Sequence, residues 1–184
     1  MSVQTRSQLQ ASAATITNET VAGANTAARV GGLFDDLADT ATLDRERGVA
    51  NLYLDTTTNW TPTLNQAVKL TTAMKNGVLS TYNFSRTTTA ITYTGTTSAA
   101  LRVAVNMLIA QTNNAQIKIY IAKNGTIIAQ SMADLTTTHT NGHAVFTETV
   151  LQGAANDEFS IYINAVDSAQ TIVISALSFT VHTL

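Results

Sequence analysis

Two histidines and a nearby aspartate have the spacing that most resembles a metal site. His139 and His143 are four residues apart, and Asp134 lies just upstream of them. Histidines at i and i+4 share a face only on a helix, but residues 140–142, Thr-Asn-Gly, are typical of a turn. A zinc site would also show three or four ligands. We therefore predict no metal site, and we expect His182, isolated in a predicted strand, to face solvent.

Acidic residues are grouped at two other places. Asp35, Asp36 and Asp39 lie in a segment of helical periodicity but off its apolar stripe, so we expect them to face solvent. Calcium binds in oxygen-rich loops, which adjacent aspartates on a helix do not form. Asp157 and Glu158 precede a predicted strand. They could form a calcium site or an acid pair, but a turn before the strand explains them better.

The sequence contains no recognisable catalytic motif. It has no Gly-x-Ser-x-Gly nucleophile elbow, no Walker loop and no Gly-x-Gly-x-x-Gly fingerprint. No pair of carboxylates stands in a setting typical of glycoside hydrolysis. We therefore predict that the protein is not an enzyme and that it uses neither a cofactor nor a metal ion.

Charged side chains are scarce, whereas threonine is abundant. Charged residues make up 12 % of the 184 residues, about half of the ~25 % typical of globular domains. Threonine occurs 33 times, and it suits strand faces that meet water or polar partners. Because charge normally protects strand edges from pairing with other chains, its scarcity favours a permanent oligomer.

The composition also argues against several classes of partner. The net charge is −2 and there is no basic run, so no nucleic-acid binding is predicted. The sequence contains no cysteine, so neither disulfides nor thiolate metal sites are expected. No apolar run approaches membrane-spanning length, and the first residues lack the apolar core of a signal peptide. These features predict a protein that is made in the cytosol and is not embedded in a membrane.

Residues 101–128 show the clearest strand pattern in the chain. Apolar residues alternate with polar or small ones, first over 101–109 and then over 117–121, which predicts one face in a core and one in water. Asn124-Gly125 follows, and this pair favours a type I′ hairpin because both turn positions need positive φ. We therefore predict an antiparallel meander in the middle of the chain.

Short strands separated by turn residues recur through the rest of the sequence. Residues 65–74 could begin the sheet, and Asn76-Gly77 is predicted to form a turn. The apolar alternation slips by one residue near Ser175-Ala176, which predicts a β-bulge. Repeated short strands favour a sandwich or barrel. The eight candidate strands are 78–84, 88–94, 99–110, 116–122, 126–131, 143–151, 159–165 and 171–182.

The first 48 residues differ from the rest. Residues 1–15 are small and polar and show no period, so we predict an arm that is flexible or is ordered by a partner. A heptad stripe over the next 26 residues, 16–41, predicts a helical stem. Val30, Phe34 and Leu37 lie on its apolar half and are the predicted anchor and oligomer residues. An ordinary amphipathic helix packed on its own domain is the alternative.

A charged hinge at residues 43–48 ends this segment, and we place a domain boundary there. The prediction is thus an arm at 1–15, a helical anchor with its hinge at 16–48, and a β-sandwich knob at 49–184.

Two segments resemble known families. Residues 156–164, 171–175 and 177–181 resemble the last two strands of C1q/TNF-like jelly rolls. Such domains form compact trimers, and phage appendage proteins use them as terminal knobs. Residues 25–37 resemble a segment that recurs near the N-termini of fibre-like phage proteins, including those of crAss-like gut phages.

The resemblance implies a mainly β fold, a jelly-roll (C1q/TNF-like) sandwich preceded by a short N-terminal helical stem. It implies a structural protein of a phage virion, assembled in the host cytoplasm as a short homotrimeric fibre and anchored by its N-terminus. Because the chain has no long shaft, a head fibre or capsid decoration bound to the capsid protein is favoured over a tail fibre. The alternative is a tail-associated receptor-binding protein that recognises a host-surface ligand such as a glycan.

Overall fold

The computed structural model describes residues 11, 14 and 34 and the ranges 48–79, 83–111, 115–137, 142–168 and 171–184. The chain divides into two compact units, Met1–Arg47 and Gly48–Leu184. Most of the predicted arm and most of the predicted stem, including Val30 and Leu37, lie outside the described residues, as do His139 and the aspartates at 35, 36 and 39. Phe34 is helical and 63 % exposed.

The described part of the second unit is built almost entirely from β-strands, joined by turns and one short 3₁₀ helix at Ala129–Ser131. Its strands are β1 Val49–Leu54, β2 Thr58–Trp60, β3 Val68–Lys69, β4 Lys75–Leu79, β5 Phe84–Arg86, β6 Ala90–Tyr93, β7 Ala99–Gln111, β8 Ala115–Lys123, β9 Thr126–Ile127, β10 Ala133–Thr137, β11 His143–Gly153, β12 Glu158–Ala165 and β13 Ile172–Thr183.

These strands form two antiparallel sheets. The first sheet has the order β11-β7-β13-β1-β4, with β2 also paired to β13. The second has the order β10-β8-β12-β6-β5, with β3 paired to β12 and β9 to β8. Strands that follow each other in sequence therefore repeatedly lie in opposite sheets, as in a jelly roll.

The core lies between the sheets and is made by the inward half of each alternating strand. In β7 the residues at 101, 103, 105, 107 and 109 are at most 3 % exposed, and those between them are half-buried or exposed. Burying one such aliphatic or aromatic side chain contributes ~1.5–3 kcal/mol. The largest fully buried side chains are Leu52, Leu70, Ile91, Leu101, Ile109, Ile117, Ile119, Ile121, Phe159, Ile161, Ile163 and Phe179.

The predicted meander is wrong in one respect and right in another. β7 and β8 do not pair, because they belong to different sheets, and alternation alone does not say which sheet a strand joins. The hairpin of β8 with β9 is confirmed: Ala122 lies opposite Ile127, and the turn residues Asn124 and Gly125 have φ of 51° and 77°.

Six of the eight candidate strands correspond to β6, β7, β8, β11, β12 and β13. The candidate at 126–131 is a two-residue strand that leads into the 3₁₀ helix, and the candidate at 78–84 combines the end of β4 with the start of β5. The predicted turn at Asn76-Gly77 is wrong, since both residues lie within β4. The predicted bulge is confirmed, because the pairing of β13 with β7 shifts between Ile174 and Ala176.

Candidate functional site

The outer face of the first sheet carries an unusual number of exposed apolar side chains. We call the outward residues of β11, β7 and β13 between positions 102 and 182 the first-sheet face. Phe146 is 53 % exposed, Val150 is 59 % exposed and Leu108 is 37 % exposed. An open groove of about 450 Å³ lies beside Leu108 and Phe146. Its lining consists of Asn106, Met107, Leu108, Ala144, Val145, Phe146, Ala176, Leu177 and Ser178.

Strand register explains the shape of this groove. Ala144 lies opposite Leu108, and Leu108 lies opposite Ala176 on the next strand. One step along, Phe146 lies opposite Asn106. Large side chains thus stand beside alanine and asparagine, and the small neighbours leave space between the ridges. The bulge in β13 contributes to this, because it brings Ala176 onto the outer face, where it is exposed.

The polar groups of the face are mostly engaged with one another. Arg102 and Glu148 form an ion pair, with an Nε to Oε2 distance of 2.8 Å. Both side chains are about 40 % exposed, so the pair contributes at most ~1 kcal/mol. Asn51 donates from Nδ2 to Ser178 Oγ and to Thr180 Oγ1, both at 3.0 Å. These bonds hold β1 against β13. The exposed apolar side chains of Phe146, Val150 and Leu108, which we call the apolar ridge, are the part of the face that is available to a partner.

The groove lining contains no ionisable side chain. It therefore offers no general acid, general base or charged nucleophile for catalysis. An apolar surface of this kind is typical of a protein interaction site. β11 is also the edge strand of its sheet and is 11 residues long. Two residues of the apolar ridge, Phe146 and Val150, therefore lie at an accessible border of the sheet.

Of the three residues whose spacing resembles a metal site, the structure describes Asp134 and His143, whereas His139 lies outside the described residues. Asp134 accepts a 2.6 Å hydrogen bond from Gln116 Nε2. His143 begins β11, opposite Ile109, and His182 is half-buried on the outer face of β13. Among the residues that the structure describes, no group of three His, Asp or Glu side chains could hold a metal ion. Within the same residues, no helix is long and apolar enough to cross a membrane.

Asp157 and Glu158 form a turn and the start of a strand, as the simpler interpretation predicted. Asp157 is 6 % exposed. Its carboxylate accepts hydrogen bonds from the Ala154 N–H at 2.6 Å and from Asn124 Nδ2 at 2.7 Å, and lies 2.6 Å from Lys123 Nζ. Glu158 instead pairs with Lys69 at 2.7 Å. The two carboxylates thus serve different partners and do not form an acid pair.

The environment of Asp157 also sets its protonation. Burial alone raises the pKa of this carboxyl group, but the hydrogen bonds from Lys123, the Ala154 N–H and Asn124 lower it by more. The net pKa is below the usual value of 3.8. Asp157 is therefore a charged structural group near neutral pH, and it joins the β8–β9 hairpin to the turn before β12.

Sequence reasoning missed Phe146 and Val150. A signal was present in β11, where apolar residues occupy both faces: Val145 and Leu151 point inward, and Phe146 and Val150 point outward. A strand that is apolar on both faces is typical of one buried on both sides. In this sheet the second side faces outward and has no covering element among the described residues of the unit.

No family model matches the sequence, and no curated protein matches it. Solved structures do match. Murine APRIL, a TNF-like protein, in its structure at pH 5.0, has a TM-score of 0.52 and 8 % identity over 76 % of this chain and 100 % of its own. The vertex protein P5 of phage PRD1 has a TM-score of 0.50 and 10 % identity over 74 % of this chain and 96 % of its own. The globular domain of zebrafish complement 1qA has a TM-score of 0.49 and 10 % identity over 76 % and 98 %.

At these identities the similarity shows the fold alone. It confirms the predicted class for the β-rich part of the chain, while most of the predicted helical stem lies outside the described residues. The described residues between 48 and 184 therefore form a mainly β, TNF-like jelly-roll sandwich.

Proposed function

We propose that this chain is a structural protein of a phage virion, a short homotrimeric fibre whose knob is residues 49–184 and whose anchor is residues 1–48. The observation that carries the proposal is the first-sheet face. Its apolar ridge at Phe146, Val150 and Leu108 is exposed in the single chain. A second copy of the chain is the occupant that we assign to it.

The scarcity of charge favours a copy of the chain as the occupant. Only 12 % of the residues are charged, and on the first-sheet face Arg102 and Glu148 already neutralise each other. A face without net charge does not repel an identical face, and burying its ridge removes apolar surface from water. Each fully buried side chain of the size of Phe146 contributes ~1.5–3 kcal/mol, and a closed trimer would bury this side chain three times.

The ridge and the groove form one patch of the first sheet, because Phe146 and Leu108 themselves line the groove. Such a patch beside the edge strand β11 can be buried against a further copy of the chain. The resemblance to C1q/TNF-like jelly rolls favours three copies.

Two observations support the virion part of the proposal. Residues 25–37 resemble a segment of fibre-like phage proteins. The jelly roll is similar in fold to the vertex protein P5 of phage PRD1. We propose attachment to the capsid, as a head fibre or decoration, with attachment to the tail as the alternative. The proposed role is structural and not catalytic, and the proposed partners are further copies of the chain and the capsid protein.

Labelling of intact virions tests the location. Gold-labelled antibody raised against residues 48–184 should decorate the heads of purified particles in electron micrographs, at discrete sites. Labelling of tails instead of heads would support the receptor-binding alternative, and particles without any label would overturn the virion proposal.

Light scattering on the purified full-length chain tests the assembly. The mass should equal three chains and should stay constant as the protein is diluted into the low micromolar range. A monomer or a dimer under these conditions would overturn the trimer. The alternative function, recognition of a host-surface ligand, is favoured by a separate feature of the second sheet.

A further inference from the structure

The outer face of the second sheet places two tyrosines directly side by side. Tyr120 of β8 lies opposite Tyr162 of β12, and Lys118 lies opposite Asn164 one step along. Lys69 of β3 lies on the other side of Tyr162. All five side chains are half-buried, so each keeps part of its surface in contact with solvent. We call these five residues the tyrosine platform.

Directly opposed residues on one face of a sheet have Cβ atoms ~4.5–5.5 Å apart. Tyr120 and Tyr162 are therefore neighbours on the outer face, and each is half-buried. The hydroxyl of Tyr162 reaches towards the β8–β9 turn, because a Cβ added to Gly125 would lie 3.7 Å from it. The platform thus extends from the middle of the sheet to the hairpin end.

Three polar groups of the platform have no partner among the described residues, and the Lys118 ammonium is one of them. The other three lysines, Lys69, Lys75 and Lys123, each have a carboxylate partner at 2.6–2.8 Å. No hydrogen bond or ion pair to a described residue involves the Lys118 ammonium or either tyrosine hydroxyl.

Two side-chain oxygens of β12 add to this set. Asn164 Oδ1 and Ser160 Oγ are the buried side-chain oxygens without a hydrogen-bond partner among the described residues. Both residues alternate with the core positions of β12 and so belong to the outer face. Buried polar atoms without partners are rare in folded proteins. Of the two residues, only Asn164 belongs to the platform, since Ser160 is 1 % exposed and lies beyond Tyr162 on β12.

The charge around the platform is balanced. Lys69 pairs with Glu158, and Lys118 lies opposite Asp134 on β10. Two cations and two carboxylates leave no net charge, so the surface has no electrostatic preference for an anionic polymer. The ligand that matches it is polar but uncharged.

We infer that the tyrosine platform binds a neutral saccharide of the host surface. A pyranose ring has an apolar face of C–H groups, which packs against an aromatic ring, and a rim of hydroxyls that both donate and accept hydrogen bonds. Tyr120 and Tyr162 provide the aromatic surface and two hydroxyls, while Lys118 and Asn164 lie within reach of the rim. An apolar floor with a few polar groups around it is the usual composition of a small-molecule site.

This inference adds an activity to the proposed structural role and does not depend on the trimer. A trimer would carry three platforms, so weak individual sites would be strengthened on a surface with repeated sugars.

Saturation-transfer NMR on the full-length chain tests the platform. The probes are neutral hexasaccharides of glucose and mannose with different linkages, each at 10 mM, and dextran sulfate as an anionic comparison. At least one neutral hexasaccharide should give a transfer signal, with its ring C–H protons closest to the protein. Tyr120→Ala and Tyr162→Ala should each weaken binding at least tenfold, whereas Tyr120→Phe should change it less than threefold.

Lys118→Ala and Lys75→Ala form a matched pair, because both remove a lysine and only Lys118 lies on the platform. Lys118→Ala should weaken binding about threefold or more, and Lys75→Ala should leave it unchanged. Tryptophan emission from Trp60 reports whether each variant is folded. If Tyr120→Ala and Tyr162→Ala do not fold, the comparison of Lys118→Ala with Lys75→Ala decides the result. Three outcomes would each overturn the inference. They are no signal with any neutral hexasaccharide, equal binding by Lys118→Ala and wild type, and a salt-sensitive preference for dextran sulfate over the neutral hexasaccharides. Light scattering, measured separately, tests whether the chain is a trimer.

Discussion

Replacing Asp157 by asparagine should destabilise the knob by about 2–3 kcal/mol. Three donors point at the carboxylate: the Ala154 N–H, Asn124 Nδ2 and Lys123 Nζ, all within 2.7 Å. Asparagine offers a single acceptor oxygen, so at least one donor would face its NH₂ group, and Lys123 would lose its counter-charge. A hydrogen bond to a charged group contributes ~1.5–3 kcal/mol. The Lys123 side chain is 32 % exposed, so water offsets part of the ~3–5 kcal/mol lost when a fully buried pair is broken.

Urea unfolding of the full-length chain measures this loss, followed by far-UV circular dichroism and by the emission of Trp60, the only tryptophan. Protein concentration must be held fixed, because assembly would make the midpoint depend on it. Asp55→Asn is the matched control: Asp55 pairs with Lys75 at 2.8 Å, but both side chains are about half exposed. It should not shift the midpoint measurably. Equal midpoints for Asp157→Asn and Asp55→Asn would refute the reasoning.

The pH dependence has a defined sign. Because the pKa of Asp157 in the folded protein is below its usual value of 3.8, its carboxylate stabilises the fold above that pH, and the stabilisation is lost as the pH falls below it. Wild type and Asp157→Asn should therefore differ by a constant amount between about pH 5 and 7 and converge below about pH 4. A difference that is unchanged at about pH 2.5 would show that the charge of Asp157 is not its source.

Three further predictions concern the sheet and the N-terminal segment. Gly77→Ala should lower the free energy of unfolding by about 1–3 kcal/mol, because the new Cβ would lie 2.1 Å from Asn51 Oδ1; an unchanged urea midpoint would contradict this. A truncation that begins at Gly48 should keep a single cooperative melt, since Gly48–Leu184 is a compact unit; an insoluble or molten product would place the N-terminal segment in the core. Changing Phe34 and Leu37 together to serine should release the fibre from particles while the knob stays trimeric, and fibre that remains on sedimented particles would place the attachment elsewhere.

Much of the fold follows from local pattern, but the pairing of strands does not. The alternation in β7 and the slip in β13 are properties of a few neighbouring residues, and both were predicted correctly. The assignment of β7 and β8 to one meander failed, because a period of two records which side of a strand is buried and not which sheet it belongs to.

Two Asn-Gly pairs show the limit of predicting turns from local sequence. Asn124-Gly125 forms the predicted turn, with positive φ at both residues. Asn76-Gly77 lies within β4, where the glycine is needed for space beneath the Asn51 side chain rather than for its conformation. The sequence around the two pairs differs little, so only the partner strand decides between turn and strand.

The candidate surfaces were harder to predict than the core. Phe146 and Val150 lie on the outward side of β11, and they are exposed because no described element of the unit covers that face. Tyr120 and Tyr162 are 42 residues apart in sequence, and they meet only because β8 pairs with β12 in this register. Such long-range pairing leaves no trace in the spacing of either strand.

The most direct test of the proposed assembly is the mass of the Phe146→Glu variant in solution. A charge at the ridge would have to be buried without a partner in the trimer, which costs several kcal/mol per contact, whereas in the monomer the same side chain lies in water. Val78→Glu is the control, because Val78 is 66 % exposed on β4, at the opposite edge of the same sheet. Light scattering at micromolar concentration should give three chain masses for wild type and Val78→Glu, and one for Phe146→Glu with an unchanged circular dichroism spectrum. A trimeric Phe146→Glu variant, or a monomeric wild type, would contradict the account.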